Sequence, residues 1–191
     1  MERLLTFTLV LLIVTGCEKD PEKEPTISDQ EFLQTHIFNG SSKWTVTRME
    51  ADTEREFNSE STTIWSDQFS TCRKDNIYSF GNLPIEVASI DVDESNSSCD
   101  MEEPDYVPQG LFLQFSSDYK KAAVSIRGAA MAKLFDLPYD SRIKLNGFEH
   151  SWEFQEVSSE KVVVKVSMPA GQSAGMVKNA AVVWVTFERD R

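Results

Sequence analysis

Leu111-Phe-Leu-Gln-Phe115 and, after a short polar stretch, Lys121-Ala-Ala-Val-Ser-Ile126 decide the fold. Leu111, Leu113 and Phe115 stand at every second position in the first segment, and Ala122, Val124 and Ile126 do so in the second. A period of two sends alternate side chains to opposite faces of an extended strand. Between them lies Ser116-Ser-Asp-Tyr-Lys120, whose Ser and Asp suit a turn.

Working outward, the same pattern recurs on both sides. Trp44–Met49 alternates loosely, Ile77–Phe80 is short and aromatic, and Ile85–Val92 holds Ile, Val and Ala. Further on, Arg142–Leu145 is a weak candidate and Trp152 alternates with Phe154. Lys161–Ser167 is rich in Val, and Ala180–Phe187 is a continuous apolar run. About nine strands follow, with a short helix expected over Gln30–Phe38, where Phe32, Leu33 and Ile37 can share a face. Ala129–Leu137 has a helix-forming composition, and its state stays open. Many strands joined by turns describe an all-β antiparallel barrel or sandwich, not an α/β sheet. Trp44, Trp152 and Trp184 lie on these strands and are expected in the core. Trp65 is the one least tied to a strand and a candidate for the open end of a barrel.

Three stretches resemble the lipocalin-like domains of Bacteroidetes lipoproteins. Trp44-Thr-Val-Thr47 opens the first strand, Cys72-Arg-Lys-Asp-Asn-Ile-Tyr-Ser-Phe80 leads into the second with Cys99 following, and Asn146-Gly-Phe-Glu-His-Ser-Trp-Glu-Phe154 precedes a Val-rich strand. The resemblance spans residues 40–188. It implies an up-and-down β-barrel of eight to nine strands over residues 31–191, and a non-catalytic binder of a small apolar or amphipathic ligand in the barrel mouth. It also implies that Arg189, after the last strand, packs on Trp44 through a cation–π contact. The Gly-x-Trp motif of true lipocalins is absent, because Gly40 lies four residues before Trp44. No ligand-binding residue is therefore assigned.

The N-terminus carries a second resemblance. Leu4–Val14 is eleven mostly apolar residues, about 17 Å long as a helix. That is too short for a bilayer core of about 30 Å and fits the apolar region of a secretory signal. Val14-Thr15-Gly16-Cys17 resembles the lipobox of bacterial lipoproteins at all four positions. In that family the signal is cut before the Cys, which is then lipidated. The resemblance implies a signal peptide over residues 1–16, lipidation at Cys17 and a membrane partner reached through that lipid. It places the protein at the outer membrane, on the surface or the periplasmic face. Residues 17–30 are rich in charge and proline and read as a flexible tether. If Cys17 carries lipid, only Cys72 and Cys99 of the three cysteines remain, in a compartment that permits disulfides. They are expected to pair, the alternative being two free thiols. A bond there contributes about 3.5 kcal/mol in the chain-entropy model.

Composition sets further limits. The formal charge is −12, which opposes nucleic acid, whose binding needs Lys and Arg to displace counterions. Gly171-Gln-Ser-Ala-Gly175 matches a nucleophile elbow around Ser173, but no His follows it, so a loop between two strands explains it better. His36 and His150 lie far apart and neither has a second ligand at metal spacing; His150 is expected at a strand rim or on the surface. Asp91-Val-Asp-Glu-Ser-Asn-Ser-Ser-Cys-Asp-Met-Glu102 places oxygen donors at positions 1, 3, 5 and 12 of a calcium loop, with Asn96 where Gly is needed. Residues 91–105 hold seven acids and no base, so a solvated acidic loop is the expectation. About eighteen residues separate Val92 from Leu111, a length often seen in functional loops. Neither a catalytic set, a metal set nor a cofactor loop emerges. The leading expectation is a lipid-anchored, non-catalytic binder. Its alternative is an accessory subunit of an outer-membrane surface assembly, with a solid barrel that contacts a protein or glycan.

Overall fold

The computed structural model describes residues 29–57, 60–81, 84–137, 139, 147–168 and 181–190. Cys17, the expected strand at Arg142–Leu145 and the Ser173 elbow lie outside these residues. Among the described residues there are nine strands: β1 Lys43–Phe57, β2 Glu60–Ile64, β3 Ile77–Phe80, β4 Val87–Asp93, β5 Tyr106–Phe115, β6 Lys121–Ile126, β7 Phe148–Val157, β8 Lys161–Met168 and β9 Ala181–Arg189. All pair antiparallel. Their order is β2-β1-β3-β4-β5-β6-β7-β8-β9, and β9 pairs back on β1, so eight strands close into a barrel and β2 stands outside the ring.

The length of β1 makes this possible. Lys43 and Trp44 pair with β3. Trp44–Ala51 pairs with β9, and Glu50–Phe57 pairs with β2. The hairpin that decided the fold is present in register, with Leu111 opposite Ile126, Leu113 opposite Val124 and Phe115 opposite Ala122. β2 was not anticipated, because Glu60-Ser-Thr-Thr-Ile64 has no apolar alternation. β5 also begins five residues earlier than its apolar pattern, which shortens the expected eighteen-residue loop to residues 94–105. Asp91 holds that early part: its carboxylate accepts from the Gln109 amide at 2.6 Å and from the Tyr106 hydroxyl at 2.7 Å. Gln109 adopts φ 51°, where the β4–β5 register shifts.

Side chains fill the interior. Trp44 meets Phe80 edge-on at 5.5 Å, Phe80 meets Phe187 at 5.7 Å, and Phe187 meets Tyr78 at 5.5 Å and Trp152 at 6.2 Å. Around this aromatic column Val162, Val164, Val166, Val183 and Val185 are fully buried. Burying each such side chain contributes about 1.5–3 kcal/mol.

Both ends are stoppered. At the lower end, where β1 begins, the expected N-terminal helix is a single α-turn, α1 (Asp29–Phe32), continued by a π-turn over Leu33–Ile37. It buries Leu33, Ile37 and Phe38, with Phe38 edge-on to Phe80 at 5.3 Å and to Phe115 at 5.4 Å. At the upper end, Ala129–Leu137 resolves as helix α3 (Gly128–Phe135), buried on nearly every side. α3 packs so close to β5 that a Cβ at Gly110 would stand 2.7 Å from the Ala130 Cβ. Gly110→Ala is therefore expected to push α3 off the sheet and lower stability by about 1–3 kcal/mol, read by urea denaturation. An unchanged midpoint would show that α3 is not in firm contact there.

Three sequence expectations are corrected. Trp184 points outward and is 36% exposed, because β9 buries Ala181, Val183, Val185 and Phe187 and turns its even-numbered residues out. The continuous apolar run hid that alternation. Trp65 is buried, not at an open end; it sits in a 3-10 turn (Trp65–Gln68) after β2 and donates its indole N–H to the Thr53 carbonyl at 3.0 Å. His150 is buried in β7 opposite Val124, not on a rim. Trp44 and Arg189 are register partners, but the cation–π contact expected of them is not among the contacts of the described residues, where Arg127 over Phe112 is. The Arg189 guanidinium reaches the Ser159 carbonyl at 3.4 Å, while the Trp44 ring meets Phe80.

Candidate functional site

The acidic segment before β5 is not simply solvated. Glu94 and Glu103 are buried, at 1% and 4% exposure. Their partners come from elsewhere in the chain. Arg73, on the one-turn helix α2 (Thr71–Lys74), donates through one terminal nitrogen to Glu94 and through the other to Glu103. Lys133 of α3 is fully buried, with its Nζ 3.0 Å from Glu94 Oε1 and 3.7 Å from Glu103 Oε1. Asp136 follows α3 in a left-handed conformation, φ 50°, and lies 3.6 Å from Arg73 Nε. Arg55, near the end of β1, donates to the carbonyls of Phe135 at 2.9 Å and Asp136 at 2.8 Å. A cation there complements the negative end of the helix and satisfies its last carbonyls.

Three bases and three acids thus face one another under the upper end. Burial raises the Glu103 carboxyl above its ordinary range, with Arg73 and Lys133 opposing the shift. Burial likewise lowers Arg55, with Asp136 opposing. The disulfide expected between Cys72 and Cys99 is present, with Cα atoms 5.3 Å apart. It ties α2, which carries Arg73, to the loop that carries Glu94 and Glu103. Ser70 links the bond to the cluster: its hydroxyl lies 3.4 Å from Cys72 Sγ and donates to Asp136 Oδ1 at 2.8 Å. Among the described residues no group of three or more His, Cys, Asp and Glu is arranged to hold a metal. Of the four calcium-loop donors, Asp91 serves the β5 backbone, and Asp93 accepts from the Ser95 amide at 2.9 Å. Glu94, the next residue, is turned inward.

A second feature lies outside the barrel. A groove of about 980 Å³ runs over β4–β9. Its floor is a register row: Val87 opposite Gln114, Gln114 opposite Ala123, Ala123 opposite Ser151, Ser151 opposite Ser167, and Ser167 opposite Val182. Adjacent strands are about 4.8 Å apart, so the row follows the curved barrel wall for about 24 Å, from β4 round to β9. Small outward side chains at Ala123, Ser125, Ser151 and Ser167 keep the floor low. Phe112 supplies an aromatic edge, with the Arg127 guanidinium 5.8 Å from its ring centroid. Asp52 and Glu149 are the charged residues among the described lining, so the groove favours neutral or cationic groups. Asp52 also accepts from the Val182 amide at 2.9 Å, fixing one end of the row to β9.

Sequence reasoning assigned Cys72 and Cys99 but missed Arg55, Arg73, Lys133 and Asp136, which lie far apart along the chain. The groove had a faint signal, since the polar positions of β6, β7 and β8 include small residues where charged ones are usual. No protein-family model matches the chain, and no curated protein is detectably similar to it.

Proposed function

We propose that this is a lipid-anchored, non-catalytic cell-envelope module that recognises its partner on the outside of a solid barrel. It serves as an accessory subunit of an outer-membrane surface assembly. The filled interior is the observation that carries this reading. The aromatic column from Trp44 to Trp152, with the N-terminal turn below it and α3 above it, occupies the space where a lipocalin ligand would sit. Contact then falls to the outer groove. Its length suits an extended segment of a partner chain, and its two carboxylates suit a neutral or basic one. In this reading lipidation at Cys17, ahead of α1, supplies the anchor.

Groove size also supports a second reading, a small amphipathic ligand in the same place, because small-molecule sites span about 300–1,000 Å³. Native mass spectrometry of the detergent-extracted protein from its own host separates the two. A reproducible adduct of kilodaltons supports a macromolecular partner, and one of a few hundred daltons supports a small ligand. Ala123→Trp, which raises the groove floor on an exposed position, is expected to remove the adduct and leave the fold intact. A clean apo mass across preparations would sink both readings. Palmitate labelling tests the anchor; label persisting on Cys17→Ser would overturn it.

A further inference from the structure

We infer that Cys72–Cys99 is a redox latch: its reduction frees α2 and loop 94–105 together from the upper end while the barrel stays folded. Neither segment belongs to the strand ladder. The loop's backbone bonds run within it, from Glu94 N–H to the Asp105 carbonyl at 2.9 Å and from Glu103 N–H to the Asp100 carbonyl at 3.0 Å. Its tip is open to solvent, with Met101 fully exposed.

What seats the two segments is the disulfide and the ion pairs beside it, with Ser70 donating to Asp136 and the Asn76 side-chain amide donating to the Lys133 carbonyl at 3.3 Å. Arg73 holds Glu94 and Glu103, and Lys133 lies against both. These pairs are made out of water, where the loss of hydration roughly offsets the attraction. Their carboxylates are only partly satisfied, with Glu94 Oε2 and Glu103 Oε1 accepting no hydrogen bond. The pairs therefore specify where the loop sits but add little to hold it there. The covalent tie keeps Arg73 and the two glutamates within reach. Once it opens, water enters and the cluster is lost as a unit.

Neither Cys72 nor Cys99 belongs to the buried core; both are half-buried. A thiolate of a dithiol reductant attacks one sulfur and forms a mixed disulfide, expelling the other as a thiolate that takes up a proton. The second thiol of the reductant then attacks its own bound sulfur. Cys72 and Cys99 end as two thiols and the reductant as a disulfide. The barrel is spared because β3–β4 and β4–β5 keep their registers below the loop.

Hydrogen exchange of the full protein, with and without dithiothreitol, tests this. Amides of residues 71–76 and 94–105 should exchange at least ten-fold faster after reduction, with β5, β6, β8 and β9 unchanged. The Cys72→Ser/Cys99→Ser double variant should show the same pattern without reductant. Unchanged exchange in the loop would mean that the ion pairs hold it alone. Equal acceleration in the strands would make the bond a staple of the whole fold. Either result overturns the inference.

Discussion

Arg73→Met is expected to lower stability by about 3–5 kcal/mol, the loss seen when one partner of a buried ion pair is removed. Two carboxylates with 1% and 4% exposure would be left facing Lys133 alone. With a urea slope of about 2 kcal/mol per molar, the midpoint falls by about 2 M. The penalty comes from stranding charge, not from losing attraction. A joint replacement, Arg73→Met with Glu94→Leu, Glu103→Leu and Lys133→Met, should accordingly recover most of the loss. If Arg73→Met costs under about 1 kcal/mol, water reaches the cluster and the burial argument fails.

The second large effect is a pH dependence. His150 is buried with neither ring nitrogen hydrogen-bonded, its imidazole 6.3 Å from the Phe135 ring in an edge contact. Burial lowers its pKa to about 4, against about 6.5 in the unfolded chain. Between those values the unfolded state binds the extra proton, so stability falls with falling pH. The contribution is fully present above pH 6.5, and about 3 kcal/mol of it is lost by pH 4. His150→Phe keeps the ring contact and removes the titration. Its stability should decline less than the wild type's between pH 7 and pH 4, by about that amount. Parallel stability–pH curves for the two proteins would rule out a buried neutral histidine. Glu103 acts in the opposite sense: its raised pKa means that acidification relieves a buried charge.

The barrel was legible because period-two alternation is a local signal. Leu111–Phe115 and Ala122–Ile126 each show it within six residues, and β8 shows it through Val162, Val164 and Val166. β2 was missed for lack of apolar residues, and the face of Trp184 was misjudged because Val182 blurs the alternation. The disulfide was legible from counting, once Cys17 had a use of its own. The ion cluster was not. Residues 91–105 hold no base, so the segment looked fit only for solvent, and its counter-charges sit at Arg73 and Lys133. Charge pairing across such separations leaves no periodic trace. Helix α3 was half-visible: its composition suggested a helix, but nothing local showed that it would bury a lysine.

The ring is closed by its first strand meeting its last, Trp44 opposite Arg189. This dictates when the protein can finish folding. Every other strand neighbour in the ring except β1–β3 follows directly in chain order and can form as the chain emerges, but the seam must wait for β9. A chain that has not yet docked β9 is thus an open sheet with both edges bare, and such edges recruit other chains. The seam joins strands far apart in the chain, so closure is slow by the standards of helical domains. Loss of even the last strand should therefore convert a monomer into an aggregating species, not a slightly weaker barrel.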